Sequence, residues 1–316
     1  MRAVFMGTPE IAATVLKSVL ASKHEVIAVV TQTDKPKGRG HEMAFPPVKE
    51  VALEAGIPVL QPQRARDEAF IEELKALNPD IILVAAYGKL LPKAILDMPK
   101  FGCINVHASL LPKYRGASPI QWAVLNGDEK SGVTIMHMAE TMDTGDIIMT
   151  KEVMLTAEET AGSLHDKLAD IGGPLLIEAM DALETGRAPR IRQNEEEATH
   201  VRMLDKTMGN LDFSQPAVQL ERWIRGLNPW PTAYTKLDGK MLKLWKAEVV
   251  STEELAKEAK NQKPGTILAV AKDSFDVLTG DGVLRVKELQ LEGKRKMTAE
   301  EFLRGFSLEM GTILGR

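Results

Sequence analysis

Apolar and polar positions follow two patterns in the first half of this chain, one typical of β-strands and one typical of α-helices. Short apolar runs predict buried β-strands over residues 3–6, 26–30, 58–60, 81–85 and 103–106. Between them, apolar residues recur at three- and four-residue spacing, which predicts helices over residues 10–20, 47–55 and 67–77. Strands that alternate with helices in this way predict a Rossmann-like α/β domain, with a mainly parallel sheet and helices on both faces.

The second half of the chain has a different pattern. A long helix is predicted over residues 161–183, and Gly186 is a suitable end signal. After a polar, irregular stretch and a short helix near residues 216–225, apolar segments alternate with hairpin signals such as Asp238-Gly239 and Asp281-Gly282. These segments predict strands over residues 233–236, 241–245, 265–271, 275–278 and 284–291. They fit a smaller C-terminal β-barrel of the oligonucleotide-binding type.

The length of 316 residues exceeds what one hydrophobic core usually organises, so two domains are expected. We predict a first domain over residues 1–189, a linker over residues 190–206 and the barrel domain over residues 207–316. Residues 207–316 carry 17 basic and 15 acidic side chains, within a chain of net charge −4. Such a small excess neither requires nor excludes a nucleic-acid partner.

Composition indicates an ordinary globular protein, with 44% hydrophobic and 27% charged residues. The single cysteine, Cys103, cannot form an internal disulfide, and the first residues lack the pattern of a secretion signal. No apolar run reaches the length needed to cross a bilayer. We therefore expect a cytoplasmic protein without a membrane partner, and nothing in the chain indicates an obligate protein partner.

Three polar residues suggest the chemistry. Asn105 and His107 have the same parity on a predicted strand, so both side chains leave the same face, and Asp143 follows the next apolar strand. An amide and an imidazole can donate to an oxygen that gains negative charge, while a carboxylate orients the imidazole. With no obvious nucleophile beside them, this set suits direct acyl transfer between two bound substrates.

Each piece has a structural alternative. Asn-x-His on a strand is also typical of strand-end hydrogen bonding, and Asp-Thr-Gly is a common turn. The combination is more informative, because a Ser-Leu-Leu-Pro turn follows the strand directly at residues 109–112. The first strand leads into Gly7-Thr8-Pro9-Glu10 rather than a Gly-x-Gly-x-x-Gly fingerprint, which argues against NAD. No histidine pair has metal-ligand spacing, so no metal is expected.

The runs at residues 105–121 and 142–146 resemble the formyltransferases that use 10-formyltetrahydrofolate. Further matching segments at residues 1–9, 35–40, 228–231 and 293–297 make the chain most similar to the members that act on methionyl-tRNA. The resemblance covers nearly the whole chain. It implies formyl transfer to initiator methionyl-tRNA for translation initiation, with 10-formyltetrahydrofolate as co-substrate and Asn105, His107 and Asp143 as the catalytic residues.

The same resemblance implies binding roles. Leu90 and the turn at residues 109–112 would form the folate pocket, with the turn consisting of Ser109, Leu110, Leu111 and Pro112. The basic loop after the second strand would enter the end of the tRNA acceptor stem, through Lys35, Lys37 and Arg39. Without the resemblance, the same loop is equally typical of solvated surface. The C-terminal barrel would be a tRNA-binding domain.

Three other functions remain open at this point. A sugar-nucleotide formyltransferase would share the catalytic residues without needing the basic loop. A glycinamide ribonucleotide formyltransferase would leave the last hundred residues unexplained. A non-catalytic RNA-binding protein is the alternative from another class, although the intact triplet of Asn105, His107 and Asp143 argues against it.

Overall fold

The computed structural model describes residues 1–37, 42–250 and 261–315. Contacts divide the chain into two compact units. Unit 1 contains Met1–Pro119, Lys130–Met154 and Leu164–Arg202, and unit 2 contains Ile120–Glu129, Leu155–Ser163 and Met203–Arg316. Within the described ranges, no helix combines the length and apolar character that crossing a lipid bilayer requires.

Unit 1 is built on a seven-stranded sheet with the strand order β10-β9-β7-β6-β1-β2-β5. Its strands are β1 (Arg2–Gly7), β2 (Glu25–Val30), β5 (Val59–Leu60), β6 (Ile81–Ala85), β7 (Cys103–His107), β9 (Lys130–His137) and β10 (Ile147–Met154). Two small two-stranded ladders pair β3 (Lys35–Lys37) with β4 (Glu42–Ala44), and β8 (Arg115–Gly116) with β11 (His200–Val201). The five strands from β7 to β5 are parallel, whereas β9 and β10 are antiparallel.

Helices cover both faces of this sheet. They are α1 (Glu10–Leu20), α2 (Pro47–Glu54), α3 (Glu68–Leu77), α4 (Lys93–Leu96) and α6 (Ala161–Glu184). On one face, Phe70 and Leu74 of α3 join a buried cluster with Val4 and Met6 of β1. On the other face, Gly172 of α6 lets the helix approach the side chains of Val15 and Val106.

Unit 2 contains helices α5 (Pro119–Asn126), α7 (Ala217–Gly226) and α8 (Ala299–Gly305). Its strands are β12 (Ala233–Leu237), β13 (Lys240–Val250), β14 (Ile267–Val270), β15 (Phe275–Leu278), β16 (Val283–Leu291) and β17 (Met297–Thr298). They form one antiparallel sheet of order β12-β13-β16-β15-β14, with β17 paired to β16.

The chain's last residues close this sheet towards a barrel. The Gly311 amide donates to the Ile267 carbonyl of β14 at 2.9 Å, and the Gly315 amide donates to the Lys236 carbonyl of β12 at 2.8 Å. Residues 311–315 therefore bridge the two edge strands, which satisfies backbone groups that an open edge would expose. The barrel encloses a core that includes Phe213, Phe275 and Leu289.

The predicted fold class is confirmed, and the predicted strands and helices agree with the structure to within about two residues, except that β13 continues five residues beyond its predicted end. Helix α1 and strand β6 have the predicted bounds. The basic loop differs, because part of it is the hairpin of β3 and β4 rather than an irregular loop. Its three-residue strands lack the apolar alternation that identifies a strand in a sequence.

Candidate active site

Strand β7 carries Asn105 and His107 at its C-terminal end. Because side chains alternate along a strand, both leave the face from which Cys103 enters the buried cluster beside Ile82. The strand is paired on both edges, so that Asn105 lies opposite Val84 of β6 and Met136 of β9. These two ladders set the direction in which the two polar side chains point.

The loop between β9 and β10 brings Asp143 to His107. Asp143 Oδ1 lies 3.7 Å from His107 Nδ1, and both side chains are largely buried. The second carboxylate oxygen, Oδ2, accepts a hydrogen bond from the Gly116 amide at 2.8 Å. Asp143 has a φ of 56°, in the left-handed region that residues with a Cβ rarely adopt. Gly145 is required in this loop, since a Cβ there would lie 1.7 Å from the His137 carbonyl oxygen.

The other ring nitrogen of His107 is also engaged. Nε2 lies 3.0 Å from the carbonyl oxygen of Tyr114. A carbonyl only accepts, so Nε2 carries a hydrogen and donates it. Nδ1 is then the nitrogen that can hold a proton beside the Asp143 carboxylate and present it to a substrate.

The turn after β7 is held from within the protein. Ser109 Oγ donates to the Lys113 carbonyl at 2.7 Å, and the Ser109 carbonyl accepts from Thr134 Oγ1 at 2.7 Å. The same Thr134 oxygen accepts from the Leu111 amide at 3.1 Å. These polar groups of Ser109 and Leu111 are thus already hydrogen-bonded, and Thr134 of β9 fixes the shape of the turn.

The other predicted folate residues differ in exposure. Leu90 is 62% exposed, so its side chain is available to a ligand. Leu110 and Pro112 are half-buried, and Leu111 is buried. Tyr87, near Leu90, is buried, and its hydroxyl has no hydrogen-bond partner among the described residues. Burial raises the pKa of Tyr87 to about 12.

The basic loop is only partly described. Lys35 lies in β3 and donates from Nζ to Gln32 Oε1 at 3.1 Å. The backbone of Lys37 lies opposite that of Glu42 in the β3–β4 ladder. Arg39 lies outside the described residues. At the base of the loop, Lys49 donates to Asp34 at 2.7 Å. This bond, together with one from Gln61, lowers the pKa of the Asp34 carboxyl.

A cavity of about 660 Å³ in unit 1 does not contain the candidate catalytic residues. Its lining includes Cys103, at the opposite end of β7 from His107, and His137 of β9. Burial raises the pKa of Cys103 to about 12, which disfavours the thiolate and fits a packing role. The cavity is therefore separate from the candidate site, where Asp143 approaches His107.

One group of side chains could bring three metal-ligand atoms together in the part of the chain that is described: His24, Asp181 and Glu184. Lys23 already pairs with Asp181 at 2.9 Å, and the His24 ring lies 3.0 Å from the same carboxylate. The Lys23–Asp181 ion pair and the hydrogen bond between His24 and Asp181 account for the cluster without a cation.

The structure adds residues that sequence reasoning did not identify. Arg115 and Gln193 are buried beside the Asp143 loop, and Glu195 pairs with Arg115. Arg115 falls within the run at residues 105–121, which could have indicated it. Gln193 and Glu195 lie in a polar stretch with no periodic signal, so only the fold relates them to the site.

Comparisons with known proteins identify the family of the chain. The formyl transferase family matches residues 1–180, and the formyl transferase C-terminal domain matches residues 203–307. Methionyl-tRNA formyltransferase of Lachnospira eligens is 54% identical over the full length of both chains. Methionyl-tRNA formyltransferase of Clostridioides difficile is 48% identical, also over the full length of both chains.

Solved structures support the same fold. The sugar 3N-formyl transferase WlaRD, crystallised with dTDP and 5-N-formyl-THF, superimposes with a TM-score of 0.67. The match covers 93% of this chain and 99% of that one, and at 16% identity it shows the fold alone. Both domain matches and the full-length relatives lead to one conclusion: the chain belongs to the formyl transferase family, among the methionyl-tRNA formyltransferases.

Proposed function

We propose that this chain transfers the formyl group of 10-formyltetrahydrofolate to the free amino group of methionine on initiator methionyl-tRNA. The observation that carries the chemistry is the approach of Asp143 to His107, at 3.7 Å. Full-length relatives that are methionyl-tRNA formyltransferases support the choice of acceptor. Because the product serves translation initiation, we place the reaction in the cytoplasm.

The reaction needs stabilisation of one oxyanion and movement of one proton. The methionine nitrogen attacks the formyl carbon, and the carbonyl electron pair moves onto oxygen. The Asn105 amide and Nδ1–H of protonated His107 donate to that oxygen, while Asp143 balances the imidazolium charge. As the tetrahedral intermediate collapses, the bond to the folate nitrogen breaks. The proton lost by the amine passes to that nitrogen with help from the His107–Asp143 pair.

Binding is assigned to three regions. Leu90 and the turn of Ser109, Leu110, Leu111 and Pro112 hold the folate beside the catalytic residues. The acceptor end of the tRNA is contacted by the basic loop, through Lys35, Lys37 and Arg39. Residues 1–189 form the catalytic domain and residues 207–316 the tRNA-binding barrel, joined by the linker at residues 190–206.

A sugar-nucleotide formyltransferase is the second candidate, because the WlaRD fold extends over 93% of this chain. The two functions are separated by offering the purified protein initiator methionyl-tRNA, elongator methionyl-tRNA and an amino sugar nucleotide, each with 10-formyltetrahydrofolate. We expect rapid formylation of the initiator tRNA alone. Preferential formylation of the sugar nucleotide would overturn the proposed acceptor.

The catalytic assignment is tested by Asn105→Ala and His107→Ala. Removal of one oxyanion donor typically lowers kcat by about 100-fold or more, and we expect a loss of that size for each variant. His165→Ala is the matched control, since His165 lies on α6, its side chain is 31% exposed, and its Nδ1 lies 3.0 Å from the carboxylate of the neighbouring Asp166. Single-turnover formylation measures the chemical step. Near wild-type rates in both variants would exclude the mechanism.

A further inference from the structure

Residues 191–201, which we call the return segment, follow α6. They run alongside the Asp143 loop and the chain that follows His107. Two backbone hydrogen bonds of 2.8 and 3.0 Å pair Ile191 with Ile147 at the start of β10. Further along, the Thr199 carbonyl accepts from the Arg115 amide at 2.8 Å, and β11 pairs with β8. The return segment therefore contacts both the strand that ends the Asp143 loop and the chain that follows His107.

Between these two contacts, the Gln193 side chain bonds directly to the Asp143 loop. Its Nε2 donates to the backbone carbonyls of Asp143 and Gly145, at 2.8 Å each. Gln193 is 5% exposed, so water does not compete readily for these bonds. Both hydrogens of the amide group are used, and they hold the loop on either side of Thr144.

Arg115 sets the orientation of the Gln193 side-chain amide. Gln193 Oε1 accepts from Arg115 Nε at 3.1 Å and from Nη2 at 2.8 Å. A guanidinium has donors only, so the amide oxygen must face it and the NH₂ group must face the loop. Arg115 is 2% exposed, and Glu195 neutralises it through two bonds of 2.8 Å.

These contacts hold a conformation that the loop would not favour alone. Asp143 has its φ at 56°, which persists in a non-glycine residue only where the surroundings impose it. Gln193 holds the Asp143 backbone, and the Gly116 amide holds Oδ2. The remaining carboxylate oxygen, Oδ1, is left facing His107.

We propose that Gln193 is a positioning residue for formyl transfer: it holds the Asp143 backbone so that the carboxylate faces His107, and Arg115 with Glu195 sets the orientation of its amide. The inference rests on the proposed catalytic role of Asp143. Gln193 acts on the reaction through Asp143. Its loss should therefore slow the chemical step and leave the binding of both substrates unchanged.

The test is a double-mutant cycle of Gln193→Met and Asp143→Asn in the full chain. Methionine keeps the length of glutamine but cannot donate to the two carbonyls. A small misplacement of a catalytic group can cost about 100-fold in rate. We expect Gln193→Met to lower kcat by about 10- to 100-fold, with KM for 10-formyltetrahydrofolate and methionyl-tRNA within about twofold. In the Asp143→Asn background, the same substitution should cost less than about threefold.

Ser22→Ala is the matched control, because Ser22 Oγ also donates to a backbone carbonyl, that of Val19 at 2.6 Å, between α1 and β2. We expect its kcat to be unchanged. If Gln193→Met and Asp143→Asn multiply as independent effects, or Gln193→Met leaves kcat unchanged, the positioning role is wrong. If Asp143→Asn alone retains full activity, the catalytic role of Asp143 is wrong, which is a distinguishable result.

A second variant serves if Gln193→Met does not fold. Glu195→Ala changes a side chain that is 63% exposed, so folding should persist while Arg115 loses its charged partner. We expect a loss of kcat of about threefold, again with KM unchanged and again absent in the Asp143→Asn background. An equal loss in both backgrounds would contradict the inference.

Discussion

Strand β7 and the Asp143 loop bring their residues to the same place by different means. Asn105 and His107 are set by the alternation of a strand that is paired on both edges. Asp143 instead stands in a left-handed conformation, in a loop whose carbonyls are bonded by Gln193, 50 residues further along the chain. The positions of Asn105 and His107 follow from local strand geometry. The position of Asp143 depends on contacts between distant parts of the chain.

The two regions differ in how sensitive they are to substitution. A strand inside a sheet shares its geometry with its neighbours, so a change in one side chain leaves the backbone in place. A loop in a rarely populated conformation has no such support and depends on a few bonds from outside. Substitutions that never touch a reacting atom should therefore impair the Asp143 loop more than they impair β7.

Among substitutions of residues that touch no reacting atom, the largest effect is expected from Gly145→Ala. The added Cβ would lie 1.7 Å from the His137 carbonyl oxygen, so the Asp143 loop must move. We expect kcat to fall by about 100-fold and the free energy of unfolding to fall by about 1 to 3 kcal/mol. Urea unfolding and single-turnover formylation measure the two quantities.

The control for this substitution is Gly305→Ala at the end of α8, where an added Cβ meets no atom of the described residues within 4 Å. It should leave the free energy of unfolding unchanged. Wild-type activity in Gly145→Ala would show that the Asp143 loop tolerates displacement. The loop would then not be more sensitive to substitution than β7.

An intermediate effect is expected from Thr134→Val, which removes the hydroxyl that joins β9 to the turn after β7. The substitution keeps the shape of the side chain but leaves the Ser109 carbonyl and the Leu111 amide without this partner. A buried group left unsatisfied costs about 1 to 3 kcal/mol, and we expect unfolding to become easier by about that amount. We also expect a raised KM for 10-formyltetrahydrofolate.

Thr235→Val is the matched control for this prediction. Thr235 is fully buried, but its hydroxyl has no hydrogen-bond partner among the described residues. The same chemical change should therefore leave the stability unchanged or slightly increased. Equal destabilisation by the two substitutions would show that the bonds of Thr134 do not hold the turn.

The smallest effect is expected from pH. Hydrogen bonds from Arg115 lower the pKa of the Glu195 carboxyl below its ordinary value of 4.5. A depressed carboxyl pKa contributes stability that is present above the ordinary value and is lost as pH falls through the folded value. Glu195→Gln should therefore flatten the acid limb of the stability profile below about pH 4.5 and leave its slope above pH 6 unchanged.

Urea unfolding at a series of pH values measures this slope. Lys130 and Glu152 form an exposed pair at 2.8 Å on the neighbouring strands β9 and β10, so Glu152→Gln is a suitable control. An acid limb that is identical in wild type and Glu195→Gln would show that the Arg115–Glu195 pair does not stabilise the return segment.

Most of the fold could be predicted from the sequence, because the elements of both units follow simple periodicities. The apolar runs of β1, β2, β6 and β7 and the helical spacing of α1 are local properties. The polar stretch around Gln193 lies in the predicted linker, since its residues show neither periodicity. The structure explains this polarity, because the Gln193 side chain contacts the Asp143 loop through hydrogen bonds and not through apolar packing.

The sequence by itself determined the two fold classes, the family and the parity that places Asn105 and His107 on one face. These depend on spacing along a strand or helix, which a chain carries in its local order. Only the tertiary structure decided that Asp143 reaches His107, that Thr134 holds the turn after β7, and that Gln193 and Arg115 support the loop. These contacts join residues that are 23 to 78 positions apart, and no local rule relates positions so distant.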